Sequence, residues 1–308
     1  MEQPKSIKFI SRILISFGVL FVNMFVFSAI AVALCKQFYN VDITQLLSLK
    51  EVSKVSLDQT HALRLYQAVV SVGSFILTSI VLAYAFKQNP IEYLGLYQFP
   101  KAKYLISIPI LIIIASPALT WMLELNSNLK LPSVLNDFET RLKALETANN
   151  NLYQAMLQMP NSSDLFVNIA VMALIPALGE EFFCRGVLLN VLYDYNGKFM
   201  KSVIIVALVF TILHLQVFKF LPMMTLAIIL GLYINFTKGL WASILFHFLN
   251  NTISVLASYF EQRGIKNIFF DNDAQLPLWA IISSFVLSGI LIYTLIKTSK
   301  NNTAATDE

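Results

Sequence analysis

Six residues stand out because ionisable or amide side chains sit inside long apolar stretches. Glu180 and Glu181 are adjacent, Arg185 follows in the same block, His214 lies in the next block, and His247 and Asn251 share a third. Placing a charged group at bilayer depth costs roughly 2.5 to 3.5 kcal/mol even on insertion scales, so such residues need a reason to be there. Glu181 and Arg185 are spaced i, i+4 with the acid N-terminal, which favours an intrahelical ion pair. That pairing explains Glu181 and leaves Glu180, turned about 100° around the helix, without a local partner. A free carboxylate is suited to take a proton from water and return it. His247 and Asn251, also i, i+4, project together as donors able to hold a developing oxyanion. Together these groups fit hydrolysis by an activated water.

Other chemistries share these residue types. Two histidines and a carboxylate can bind zinc with an open position for water, although no H-E-x-x-H helix is present. A proton-coupled transporter also buries carboxylates and histidines, but the two halves of the chain show no matching interrupted helices. Cys184, four residues beyond Glu180, would share its helix face, yet a thiol in an apolar helix is a poor nucleophile. The expectation is therefore no cofactor and no metal, with zinc as the rival to be tested. A third alternative is a non-catalytic immunity or scaffold protein that acts by binding.

The elements that must position these residues are membrane helices. Of the 308 residues 57% are hydrophobic and only 13% charged, and the mean hydropathy of +0.67 lies outside the soluble range. The apolar residues fall into blocks long enough to cross a hydrocarbon core of roughly 30 Å. Eight are marked: Phe9 to Cys35, Ala62 to Phe86, Tyr104 to Leu125, Leu165 to Tyr193, Ser202 to Leu221, Met223 to Phe236, Leu240 to Phe260 and Leu276 to Ile296. The sixth is short and crowded by Pro222, so seven spans is the alternative. The first block is too long for the apolar region of a cleavable signal and reads as a retained helix.

The predicted fold is an all-α, polytopic transmembrane bundle of about eight spans with an extracytoplasmic amphipathic insertion. Residues 1–125 hold the first three spans, 126–164 the insertion, 165–260 the catalytic core, 261–300 a loop and last span, and 301–308 a disordered tail. In the insertion Phe138, Leu142, Leu145, Leu152, Met156 and Met159 recur at helical spacing, with a break expected at Asn149–Asn151. It is expected to pack on the extracytoplasmic ends of spans three and four, the alternative being a lid over a substrate entrance. Short loops on the N-terminal side carry 11 Lys and Arg against 10 diluted through longer segments opposite, which predicts N-in and C-in topology. The expected location is a bacterial plasma membrane. Membrane lipid and a peptide substrate are the expected partners, and no basic stripe interleaved with aromatics suggests nucleic acid.

Three short patterns also resemble a known family, the CPBP intramembrane glutamic endopeptidases that include type II CAAX prenyl proteases and Abi proteins. Glu180, Glu181 and Arg185 match its E-E-x-x-x-R motif, Phe210 and His214 its F-x-x-x-H, and His247 and Asn251 its H-x-x-x-N. The resemblance covers roughly Leu165 to Ser258. It implies that Glu180 is the general base, that His214 helps to position or polarise the water, and that His247 and Asn251 form the oxyanion hole. Substrates would be membrane-associated peptides, with CAAX-type C-terminal processing of a prenylated peptide and bacteriocin-related processing among the options.

Overall fold

The computed structural model describes residues 4–46, 55–130, 132–265 and 276–304. Among them there is no strand. The long helices are α1 (Lys5–Tyr39), α2 (Leu57–Ala85), α3 (Ala102–Ser127), α4 (Asn136–Met156), α5 (Ser162–Asn196), α6 (Phe199–Leu213), α7 (Phe220–Thr237), α8 (Trp241–Glu261) and α9 (Leu278–Ala304). The eight apolar blocks fall on these helices, α4 excepted. By length and composition six of them, α1, α2, α3, α5, α7 and α9, can cross a membrane. α6 is shorter, at 15 residues, and α8 carries Ser243, His247, Asn250 and Asn251 along its length. The chain is thus a polytopic helical membrane protein.

Two apolar cores flank the centre. One joins the second half of α5 to α1, α2 and α6 through Phe183, Val187, Leu82 and Val203. The other joins α3, α7, α8 and α9 through Ile108, Leu111, Tyr233 and Phe246. α5 and α8 pack against each other between these cores, and the ionisable residues lie on that seam.

Helix α5 is not uniform. It widens into π-helical turns at Ile169–Leu174 and Phe182–Leu188. Pro176 gives a cause for the first: it has no N–H for the Met172 carbonyl, and its ring pushes that carbonyl away. Between the two turns Gly179 lets α5 meet α2 closely. A Cβ at this position would stand 2.8 Å from the Cβ of Phe75, so only glycine fits without displacement.

Pro117 in α3 is compensated from a neighbour. Pro117 disturbs the ladder, and Ser284 of α9 inserts its hydroxyl, donating to the Ile114 carbonyl at 2.5 Å and accepting from the Ala118 N–H at 3.1 Å. With no water available at depth, such a side chain is how freed backbone groups are satisfied.

Several expectations are corrected. The Ser202–Leu221 block is not one helix: α6 stops at Leu213, His214 caps it, and Leu215 takes a left-handed φ of 53°. α4 runs unbroken through Asn149–Asn151. It packs chiefly on α2 rather than on the ends of spans three and four. Its first turns also face the opposite way to the amphipathic prediction, with Phe138 54% and Leu145 52% exposed while Glu139 and Glu146 are buried. The reason lies in its partners: Glu146 accepts from the Phe218 N–H at 3.3 Å, and Asn150 accepts from Lys219 Nζ at 2.9 Å. The last turn is fixed by side chains that bind its free carbonyls, Thr60 on Ala155 at 3.1 Å, and Arg64 and Asn168 on Met156 at 3.0 Å each. α9 continues to Ala304, and the remainder of the tail expected to be disordered, 305–308, lies outside the described residues.

Candidate active site

Glu181 is fully buried and is the organising carboxylate. It accepts from Arg185 Nη1 at 2.9 Å, from Ser243 Oγ at 2.5 Å and from His247 Nδ1 at 3.0 Å. Arg185 in turn donates through Nη2 to the Ala227 carbonyl at 3.0 Å, and its guanidinium lies 4.9 Å from the centroid of the Phe210 ring. One ion pair on α5 therefore ties together α6, α7 and α8. A buried pair is costly unless further hydrogen bonds satisfy its members, and Ser243, His247 and the Ala227 carbonyl supply such bonds here.

Glu180 is the opposite case. It makes no direct hydrogen bond among the described residues. Its Oε2 lies 3.7 Å from His247 Nε2 and 3.9 Å from His214 Nε2. Both separations exceed a direct hydrogen bond, and a single water lying to the side, toward the cavity, can bridge the groups.

The far nitrogens of the two rings are already committed. His214 Nδ1 lies 2.8 Å from the Phe210 carbonyl, which can only accept, so Nδ1 carries the hydrogen. His247 Nδ1 likewise donates to Glu181. In the neutral rings both Nε2 atoms therefore turn lone pairs toward Glu180. His214 reaches this position because it ends α6, where the Phe210 carbonyl has no helical partner.

Glu180, His214, His247 and Asn251 all line one cavity of about 680 Å³. Asn251 makes no side-chain hydrogen bond among the described residues and so keeps its amide free. The remaining wall is largely apolar, with Met172, Pro176, Met223, Leu226 and Leu230 prominent. Asn149, Leu152, Tyr153 and Met156 place α4 along one side. Among the described residues no three His, Cys, Asp or Glu side chains are set to hold a metal ion.

Cys184 is not brought to the cavity. It is buried in the apolar core with Leu82 and Val187, because the π-helical turn that begins at Phe182 changes the angular advance on which an i, i+4 argument relies. Sequence reasoning missed Ser243, although its i−4 relation to His247 placed it on the same face. It also missed the buried pair of Arg64 and Asp164, 2.7 Å apart, whose members come from α2 and α5 and leave no local spacing to read.

Residues 162–253 match the family model described as type II CAAX prenyl endopeptidase Rce1-like. No curated protein and no solved structure matches the chain. The matched stretch runs from the start of α5 into α8 and contains every residue that meets at Glu180 and Glu181. Over this segment, less than a third of the chain, the protein is similar to the Rce1-like type II CAAX prenyl endopeptidases.

Proposed function

We propose that the chain is an intramembrane glutamic endopeptidase in which Glu180 activates water against a peptide bond of a membrane-associated substrate. The observation that carries this reading is the convergence of Glu180 Oε2 with the two Nε2 atoms at 3.7 and 3.9 Å, beside which a water can bond to the carboxylate and to a ring. A water there donates one hydrogen to Glu180 and the other to an Nε2 lone pair, which aims an oxygen lone pair into the cavity. Glu180 takes the proton as the water oxygen bonds to the carbonyl carbon, and later delivers it to the leaving nitrogen.

The tetrahedral oxyanion needs donors. Asn251 supplies its amide N–H. His247 can donate from Nε2 only as an imidazolium, because its other N–H is held by Glu181, and that carboxylate is the counter-charge at 3.0 Å. His214 positions the water. CAAX-type processing of a prenylated C-terminal peptide is the substrate reading that the family supports.

The test is a metal and mutation comparison on the purified protein. The glutamic reading expects no stoichiometric metal, activity retained in excess EDTA or phenanthroline, and no turnover by Glu180→Gln. One zinc per chain, lost together with activity in His214→Ala or His247→Ala, would replace this mechanism by a metalloprotease one.

A further inference from the structure

We infer that Lys219 is a specificity residue that binds the C-terminal carboxylate of the peptide substrate. Among the described residues lining the cavity, Glu180 is the acid and Lys219 the permanent cation. Lys219 has no ion pair among the described residues; its ammonium rests on a neutral acceptor, Asn150 Oδ1, at 2.9 Å. The carboxylate of neighbouring Glu146 is engaged by the Phe218 N–H. A lysine in a mostly apolar cavity with only an amide for company gains most from an anion. Of the anions a peptide can offer there, the free chain end is the one every unamidated substrate carries.

Lys219 caps the N-terminus of α7 and lines the same cavity as Glu180. On binding, the carboxylate takes the place of Asn150 on the ammonium.

This inference rests on the protease reading, so the experiment has two arms. In the first, kcat/KM is measured for an internally quenched peptide with a prenylated cysteine near its end, as free acid and as C-terminal amide. Wild type should favour the acid on the order of 10- to 100-fold. Lys219→Met, which keeps the apolar stem, should bring the ratio near one, and Lys219→Arg should restore it. Equal use of acid and amide by wild type, or an unchanged ratio in Lys219→Met, would overturn the assignment. In the second arm the two peptides are bound to Glu180→Gln protein, where no turnover is needed. An acid preference there that Lys219→Met abolishes supports the carboxylate site even if wild type cleaves neither peptide, a result that would sink the protease reading alone. No acid preference in binding counts against Lys219.

Discussion

His247 donates its Nδ1–H to Oε1 of Glu181 at 3.0 Å, so the residue that looks purely structural in the sequence also fixes the orientation of a ring facing Glu180. Glu181 and Glu180 are consecutive, yet one accepts three hydrogen bonds and the other accepts no direct one among the described residues. The first carboxylate builds the frame, and the second has no direct partner among the described residues, as the proposed general base requires.

Glu180→Gln should abolish turnover while leaving thermal stability in detergent close to wild type, because Gln preserves shape but cannot accept the proton and no direct hydrogen bond is lost. Turnover within a few-fold of wild type in the purified protein would remove Glu180 as the base.

Glu181→Gln should lose both stability and activity. Its amide must point an NH2 at one of three donors, leaving the Arg185 charge unmatched, at a cost of about 3 to 5 kcal/mol. A variant that is fully stable and fully active, judged by melting temperature and kcat, would contradict the frame. Ser243→Ala should be milder, costing about 1 to 3 kcal/mol, with kcat reduced less than in Glu181→Gln.

Asn251→Ala and His247→Ala should each lower kcat on the order of 100- to 1,000-fold, the loss typical of one oxyanion donor, with a smaller change in KM. Asn251→Ala should do so without destabilising the protein, since its amide supports no neighbour. A change confined to KM would move Asn251 from the oxyanion to substrate binding.

Cys184→Ala should retain activity and resist no inhibitor that wild type does not resist. Inactivation by a thiol-alkylating reagent in wild type but not in this variant, together with complete loss on substitution, would bring the thiol back into the mechanism.

Ser284→Ala leaves the Ile114 carbonyl and Ala118 N–H beside Pro117 without their bridge. The expected loss is about 1 to 3 kcal/mol in stability, read as a lower melting temperature with kcat/KM per folded molecule unchanged. An undiminished melting temperature would show that the α3 ladder closes without α9.

What the sequence disclosed followed from how local each relation is. Glu181 and Arg185 were legible because four residues of helix bring them together, and the helical blocks because bilayer thickness sets their length. Ser243 and Glu181 meet through packing of α8 on α5, for which no spacing exists to read. His214 was placed within a span because Ser202–Leu221 is apolar throughout, and the helix end there depends on Leu215 adopting a conformation that its residue type does not announce. Asn149–Asn151 suggested a break by propensity, but Asn150 and the anchored last turn of α4 hold the helix together, an instance of tertiary contacts overriding a weak local preference.

Gly179 stands one residue before Glu180, with the Phe75 side chain occupying the space where its Cβ would be. The carboxylate's depth is therefore gauged from the back of α5, by Phe75 Cβ and Ile76 Cγ1 of α2. α2 acts as a spacer whose thickness sets how far Glu180 stands from His214 and His247. The residues that set this spacing, Phe75 and Ile76, lie outside the matched segment 162–253 and line no part of the cavity.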